Sequence, residues 1–271
     1  MNVVNLHLHS TASDGLLTGK QLINKAIEQG LKIISITDHD SVDEIESVIN
    51  YAKDKDITII PGVELTAECL LGQCHVLGYN MALEPIKDFS HDIKISRQNK
   101  AKKMIESLIK DHYHITYEEV LNRCNNEIIG RRDIALVLTE KGYYSDEESA
   151  IKDLFVYGKK YYIKTKRNKI EDCIKIIKQS GGYAVLAHPW TLNISMEDMK
   201  KFLQKYHFEG IEVYNHNISF KQYNQLLSLA DELKILKTCG TDFHGHKGLN
   251  DLIVDQDVDC DEFLKKVKVK H

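Results

Sequence analysis

A basic excess, a disulfide spacing and a long apolar run are all missing from this chain, and each absence removes a class of function. Its 271 residues carry 36 Lys and Arg against 40 Asp and Glu, a formal net charge of −4. No global positive field therefore advertises binding to long duplex nucleic acid, although a local basic site stays open. The six cysteines (Cys69, Cys74, Cys124, Cys173, Cys239, Cys260) form no C-x-x-C pair and follow no small-scaffold spacing. Disulfides are not expected, and a reducing compartment is the better reading. Cys69 and Cys74 flank a candidate ligand, so zinc capture by thiolates is one reading, and buried, inert thiols are the commoner one. The N-terminal VVNLHLHS has no basic leader region, and no segment reaches the roughly 20 apolar residues of a membrane span. A cytoplasmic protein without a membrane partner is expected, with a monomer as the working assumption.

What the chain does have is histidine in unusual places. Six of its thirteen histidines and three carboxylates fall where strand-like runs end, in the spellings HLHS, TDHD, GVEL, CHVLGY, AHP and GTDFHG. The residues are His7, His9, Asp14, His39, Glu64, His75, His188, Asp242 and His244. Imidazole and carboxylate ligands gathered from several strand ends are what a protein needs to hold more than one divalent ion. Any one of them alone is weak, because a lone buried histidine is usually a satisfied polar group. As an ordered set they are hard to explain as packing.

The chain order supports one large α/β domain with an insertion. Val3–His7, Ile33–Thr37, Ile57–Pro61 and His75–Tyr79 read as strands. Thr18 is placed to cap a helix bearing Leu22, Ile23, Ala26 and Ile27 and ended by Gly30, and Ser41 to start another, through about Lys53. Continuous apolar strands separated by helices predict parallel pairing. From 92 to 157 strand signals vanish and Ile95–Asp111, Tyr117–Cys124 and Arg131–Lys141 read as helical, which marks an inserted helical subdomain. The βα rhythm then resumes, with Asn168 as the cap of a helix ending at Gly181. Ala184–His188, Gly210–Tyr214 and Leu236–Gly240 follow as strands. About seven βα units, in segments 1–91 and 158–271, predict a barrel-like fold with its site at the C-terminal strand ends.

Other residues carry two readings each. The stretch Lys159-Lys160-Tyr161-Tyr162-Ile163-Lys164, continuing to Lys166, Arg167 and Lys169, is either a clamp for a second phosphate or a solvated face. Arg131 and Arg132 are candidates for the same task. Trp190, directly after His188-Pro189, lines a pocket or plugs an edge. Asp38 and Asp40 are either acceptors for the second ring nitrogen of His39 or, for Asp40, a helix cap. His91, His112, His114 and His207 are expected in solvent, whereas His216 and His246 sit near site loops.

HLHSTASDG, SITDHD, GVELTA, HVLGY, AVLAHP, GIEVYN and GTDFHG together resemble the PHP (polymerase and histidinol phosphatase) superfamily, and within it the stand-alone phosphoesterases of nucleoside 3′,5′-bisphosphates and RNA 5′ ends. The match runs in order from His7 to Gly245. The resemblance implies a distorted (β/α)7 TIM-like barrel, with 92–157 capping the substrate, and two or three metals. His7, His9, Glu64 and Asp242 would hold the first; Glu64, His75 and His188 the second; Asp14, His39 and His244 the third. Glu64, Asp242 and His188 would be the catalytic ligands. Two departures stand out. Relatives often read Arg-Pro-His-x-Ala where this chain has Arg131-Arg132-Asp133-Ile134-Ala135, and Gly-Arg after the His-Pro where it has Trp190-Thr191.

The ligand chemistry agrees with that implication. Mixed imidazole and carboxylate donors suit Mn²⁺ first, then Fe²⁺ or Zn²⁺, whereas an all-oxygen site would favour Mg²⁺. Divalent ions outnumbering the charge of three carboxylates leave a site that attracts a phosphate dianion and makes hydroxide available as nucleophile. Expected substrates are phosphorylated small molecules or short oligonucleotides: a nucleoside 3′,5′-bisphosphate, a 5′-nucleotide or a short RNA 5′ end. The rivals are histidinol-phosphate phosphatase, against which Ser10–Gly15 and the insertion speak, and a non-catalytic metal-binding module. A third, an amidohydrolase, lacks the bridging lysine it would want.

Overall fold

Val4–Leu8 reads VNLHL, and all five residues are buried. In a computed structural model this run is strand β1, with Leu6 and Leu8 on one face and Asn5 and His7 on the other. The structure describes residues 3–123, 129–163, 168–216, 218–245, 252–254 and 258–268, with backbone alone at 72 and 73. Helix α1 (Gly19–Glu28) starts at Thr18, whose hydroxyl accepts from the Gln21 N–H while the Gln21 side chain returns to the Thr18 N–H. Such a cap is worth about 1 kcal/mol. Strand β2 (Ile33–Ile36), helix α2 (Ile45–Ala52) and the two-residue strand β3 (Thr58–Ile59) complete a parallel three-stranded sheet in the order β1-β2-β3. Helix α2 begins four residues after Ser41, because turns fill the interval.

Parallel pairing does not extend to the next strands. β4 (Gly62–Cys69) and β5 (Gly72–Tyr79) form an antiparallel hairpin, and β5 is also antiparallel to β7 (Tyr183–Leu186). The reason is local. Only Leu70 and Leu71 separate β4 from β5, too few residues for the crossover that parallel strands require. Gly62 is forced by space, since a Cβ there would stand 2.1 Å from the Ser35 hydroxyl.

Between the hairpin and β7 come α3 (Leu83–Lys110), α4 (Tyr117–Leu121), α5 (Arg131–Glu140), α6 (Glu147–Leu154), strand β6 (Asn168–Lys169) and α7 (Ile170–Gln179). Asn168 is no cap: it pairs with Ala67 of β4, and the cap position falls to Lys169 without a side-chain bond. After β7 follow a 3-10 turn at Pro189–Leu192, α8 (Met196–Tyr206), β8 (Gly210–Tyr214), α9 (Phe220–Leu233), β9 (Leu236–Cys239) and α10 (Asp261–Lys266). The second sheet runs β6-β4-β5-β7-β8-β9. Single bridges, Leu8 with Phe243 and His39 with Glu64, are its links to the first sheet among the described residues. The architecture is thus α/β with mixed sheets, and no continuous ladder closes around the described strands.

Met1–Phe89 with Arg167–His271 form one compact unit and Ser90–Lys166 a second. The first has a core that includes Leu6, Ile34, Val63, Val76, Val185 and Ile211, all fully buried. The second buries Leu108, Val120, Ile134, Leu138 and Phe155 around its own helices. Thr116 closes a capping box with Glu119 at the start of α4, and Asp146 caps α6. No helix among the described residues is long and apolar enough to cross a membrane.

Candidate metal centre

Eight side chains of the first unit gather with Glu64, five of them in contact with its carboxylate. Its carboxylate is fully buried in the middle of β4 and its two oxygens face different partners. Oε2 lies 3.4 Å from His7 Nε2, 3.2 Å from His9 Nε2 and 3.0 Å from His39 Nδ1. Oε1 lies 2.9 Å from His75 Nδ1 and 3.0 Å from His188 Nε2, which are 3.1 Å from each other. Asp242 Oδ1 stands 3.3 Å from His7 Nε2 and 3.0 Å from His9 Nε2. Asp14 is more open, with Oδ1 3.2 Å from His244 Nε2 and Oδ2 3.8 Å from His39 Nε2.

The backbone delivers these groups from several strand ends. His7 is in β1 and His9 just beyond it, His39 follows β2, His75 sits in β5, His188 follows β7, and Asp242 follows β9. Three of the turns involved are strained, with positive φ at Asp40 (49°), His188 (27°) and Asp242 (52°). Such conformations in non-glycine residues cost about 1–3 kcal/mol each and persist only where surrounding bonds fix them. The Asp242 N–H donates to the His7 carbonyl at 2.9 Å, and the Asp40 N–H to the Glu64 carbonyl at 2.9 Å. Gly240 makes the close approach of β9 to β1 feasible: a Cβ there would meet the His7 Cβ at 2.2 Å.

Three overlapping groups have ligand atoms within 4.8 Å of one another: His7, His9, Glu64 and Asp242; His9, Asp14, His39 and His244; and His39, Glu64 and His75. Metal–ligand bonds of about 2.1 Å place neighbouring donor atoms roughly 3.0–3.4 Å apart, depending on geometry. The separations around Glu64 match that spacing. Moreover, His7 Nε2, His9 Nε2, His39 Nδ1 and Glu64 Oε2 are all buried without a hydrogen-bond partner. Leaving one buried polar atom unsatisfied costs about 1–3 kcal/mol, and four facing one another are an arrangement that a shared cation would satisfy. The residues present fit divalent metal ions.

Burial works against a charged His9, but the Asp242 and Glu64 carboxylates beside it override burial and push the ring up to about 10. Burial also opposes charge on Glu64, yet His75, His39 and His7 hold it well below the ordinary carboxylate range. Asp242 is held low in the same way, against burial, by His7 and His9. His39 goes the other way, lowered to about 3 by burial, so it stands as a neutral donor.

Neighbouring polar residues differ from the expectation at Asp38 and Asp40. The Asp38 carboxylate accepts from the Ser10 N–H (2.7 Å), the Ser10 hydroxyl (2.6 Å) and the Ser13 hydroxyl (2.5 Å). Asp40 accepts from the Thr66 N–H at 2.9 Å. The two ring nitrogens of His39 face Glu64 and Asp14 instead. The metal-competent groups among the described residues contain no cysteine, and burial pushes the Cys74 thiol up, as for an inert core thiol.

The sequence reading missed Glu212. It is fully buried in β8, with Oε1 2.9 Å from His7 Nδ1 and Oε2 accepting from the His188 N–H at 2.7 Å. The signal was a charged residue inside the apolar run GIEVY. Trp190 is half-buried with its ring edge-on to His188 at 6.1 Å, and His216 is half-buried near Tyr214. In the second unit Arg131 donates to the Phe155 carbonyl (3.3 Å), Arg132 pairs with Glu147 (3.5 Å) and Lys159 with Asp153 (3.2 Å). Lys164 and His246 lie outside the described residues.

A PHP domain model matches residues 5–186, which is more than half of the chain. The chain belongs to the PHP domain family. It is a metal-dependent phosphoesterase. Among PHP relatives, the 5′-3′ exoribonuclease Rnm of Salmonella typhimurium is 30% identical over 249 residues, covering 89% of this chain and 85% of that protein. The 3′,5′-nucleoside bisphosphate phosphatase of Chromobacterium violaceum is 26% identical over 247 residues, covering 89% and 87%. A crystal structure from Bifidobacterium adolescentis, provisionally assigned as a metal-dependent phosphoesterase, superposes with a TM-score of 0.80 at 26% identity over 97% of this chain and 94% of that one.

Proposed function

We propose that this PHP enzyme releases phosphate from monoesters of nucleotide-type substrates: a nucleoside 3′,5′-bisphosphate, a 5′-nucleotide or a short RNA 5′ end. The observation that carries the reading is the set of buried, unpartnered donor atoms on His7, His9, His39 and Glu64. Two relatives named for exoribonuclease and bisphosphate phosphatase activity support the nucleotide side of it.

His7, His9, Glu64 and Asp242 would hold one ion, Glu64, His75 and His188 a second, and Asp14, His39 and His244 a third where three are bound. Mn²⁺ is the favoured ion, with Fe²⁺ or Zn²⁺ as alternatives, because the donors mix imidazole and carboxylate. When bound, the ions supply Lewis acidity to the phosphoryl oxygens and an acidified water. The chain's own part is to hold donors fixed on strand ends and to exclude water around Glu64, which is fully buried. Trp190, beside His188, would line the substrate pocket. Arg131, Arg132, Lys159 and Lys164 supply the positive charge proposed for a second phosphate, and residues 92–157 would serve as a substrate cap. The two bridged sheets are read as an opened form of a distorted (β/α)7 barrel.

The test is phosphate release by the Mn²⁺-loaded enzyme from adenosine 3′,5′-bisphosphate, 5′-AMP, a 5′-phosphorylated oligoribonucleotide and histidinol phosphate. Preference for the bisphosphate or the RNA is the expected result. Preference for histidinol phosphate would move the substrate class, and hydrolysis of none of the four above background would overturn the nucleotide-type reading.

A further inference from the structure

We infer that Glu212 is a positioning residue that sets two metal ligands on opposite sides of Glu64 with one carboxylate, an inference that rests on the reading of the cluster as a metal site. Glu212 belongs to none of the groups of candidate ligands. It sits in β8, whose five residues are all buried, between β7 and β9. A carboxylate in such a place needs donors for its oxygens, and the donors it takes are informative.

One oxygen faces His7 Nδ1 at 2.9 Å. An acceptor there keeps a ring proton on Nδ1, so that Nε2, 3.4 and 3.3 Å from Glu64 Oε2 and Asp242 Oδ1, would be the nitrogen offered to a metal ion. The other oxygen accepts from the backbone N–H of His188 at 2.7 Å. That residue holds the strained pair φ 27°, ψ 60°. Its ring is steadied by the Thr191 hydroxyl, 3.1 Å from Nδ1, so that Nε2 points at Glu64 Oε1 and His75 Nδ1. Glu212 therefore fixes a ring state on one side of the bridging carboxylate and a backbone conformation on the other.

Glutamine cannot do both. Its single carbonyl can accept from either His7 or His188, and its NH₂ would then meet the other donor or force the His7 proton onto Nε2, where a metal must bind. Glu212→Gln in the full chain is expected to bind Mn²⁺ about 10- to 100-fold more weakly, measured by chelator competition. In the Zn²⁺-loaded wild type, the His7 Nδ1–H should give an exchange-protected signal in ¹⁵N-histidine NMR, identified by its loss in His7→Gln. That signal should be absent or shifted in Glu212→Gln. A Glu212 that merely stabilises the fold predicts a lower Tm of the metal-free variant with Mn²⁺ affinity and ring signal unchanged, and that result overturns the inference. Should the variant not fold, a wild type lacking a protected His7 Nδ1–H overturns it alone. Mn²⁺ uptake and the ring signal without phosphate release would support this role while sinking the proposed reaction. A wild type that takes up no Mn²⁺ sinks both.

Discussion

His39 and Glu64 are joined twice, once through their backbones and once through their side chains. The two form an isolated parallel bridge between the sheets, and His39 Nδ1 lies 3.0 Å from Glu64 Oε2. The Glu64 N–H donates to the Asp38 carbonyl at 3.2 Å, so the strand pairing itself brings a candidate ligand to the shared carboxylate. The site is thus built into the link between the two sheets and not carried on a separate loop.

Glu64→Ala removes five short contacts at once, because both oxygens are shared. Loss of bound Mn²⁺ and a fall in kcat of more than about 100-fold are expected, since it would remove a direct ligand where loss of an outer partner already costs that much. Metal analysis after dialysis beside single-turnover kinetics checks this. A variant retaining its full metal complement and turnover would rule out the bridging role.

Gly240→Ala tests whether the spacing of β9 against β1 matters. The added Cβ would lie 2.2 Å from the His7 Cβ and 2.7 Å from the His7 nitrogen, contacts that cannot be relieved by a side-chain rotation. Overpacking of that kind costs about 1–3 kcal/mol, and here it pushes directly on a proposed ligand. A lower Tm together with weaker Mn²⁺ binding is expected. Wild-type Mn²⁺ affinity with only a lower Tm would show that His7 tolerates the shift.

The clustering of the candidate residues was legible in the sequence because polar side chains recur in and just after strand-like runs, where they have no packing reason to, although Glu64 and His75 lie inside β4 and β5 and not at their ends. The hairpin was less legible. The strand reading stopped at Pro61 and resumed at His75, so GVELTAEC was not read as a strand and its two-residue link to GQCHVLGY through Leu70-Leu71 went unnoticed. Glu212 was given no role although GIEVYN was among the motifs noted, because its partners, His7 and His188, lie 205 and 24 residues away in sequence. Asp38 and Asp40 were misread because adjacency in sequence suggested His39 as their partner. The strand geometry turns them instead toward Ser10, Ser13 and Thr66.

Arg131→Ala tests the proposed second-phosphate role. Arg131 is exposed and donates to the Phe155 carbonyl at 3.3 Å, a contact whose loss is expected to cost little stability. If its charge serves the distal phosphate, KM for adenosine 3′,5′-bisphosphate should rise about tenfold, with kcat nearly unchanged and 5′-AMP little affected, as for loss of uniform binding. Equal effects on both substrates, or none, would remove Arg131 from substrate recognition.

The stabilisation conferred by Mn²⁺ should grow with pH. In the metal-free fold His9 titrates at about 10, above the roughly 6.5 of an unfolded histidine. A raised folded value means that its proton stabilises the metal-free fold fully below about pH 6.5 and progressively less as pH climbs towards 10. A metal needs the neutral ring, so each ion bound must displace such protons, and displacement becomes easier over that same window. Free Mn²⁺ at a hundredfold excess over Kd adds about 2.7 kcal/mol, or roughly 5–10 °C in Tm for a protein of this size. The measurement is the difference in Tm with and without a fixed Mn²⁺ concentration from pH 6 to 9. A difference that widens steadily agrees with proton displacement at the His7–His9 pair, whereas a flat or narrowing difference would mean the ion binds elsewhere.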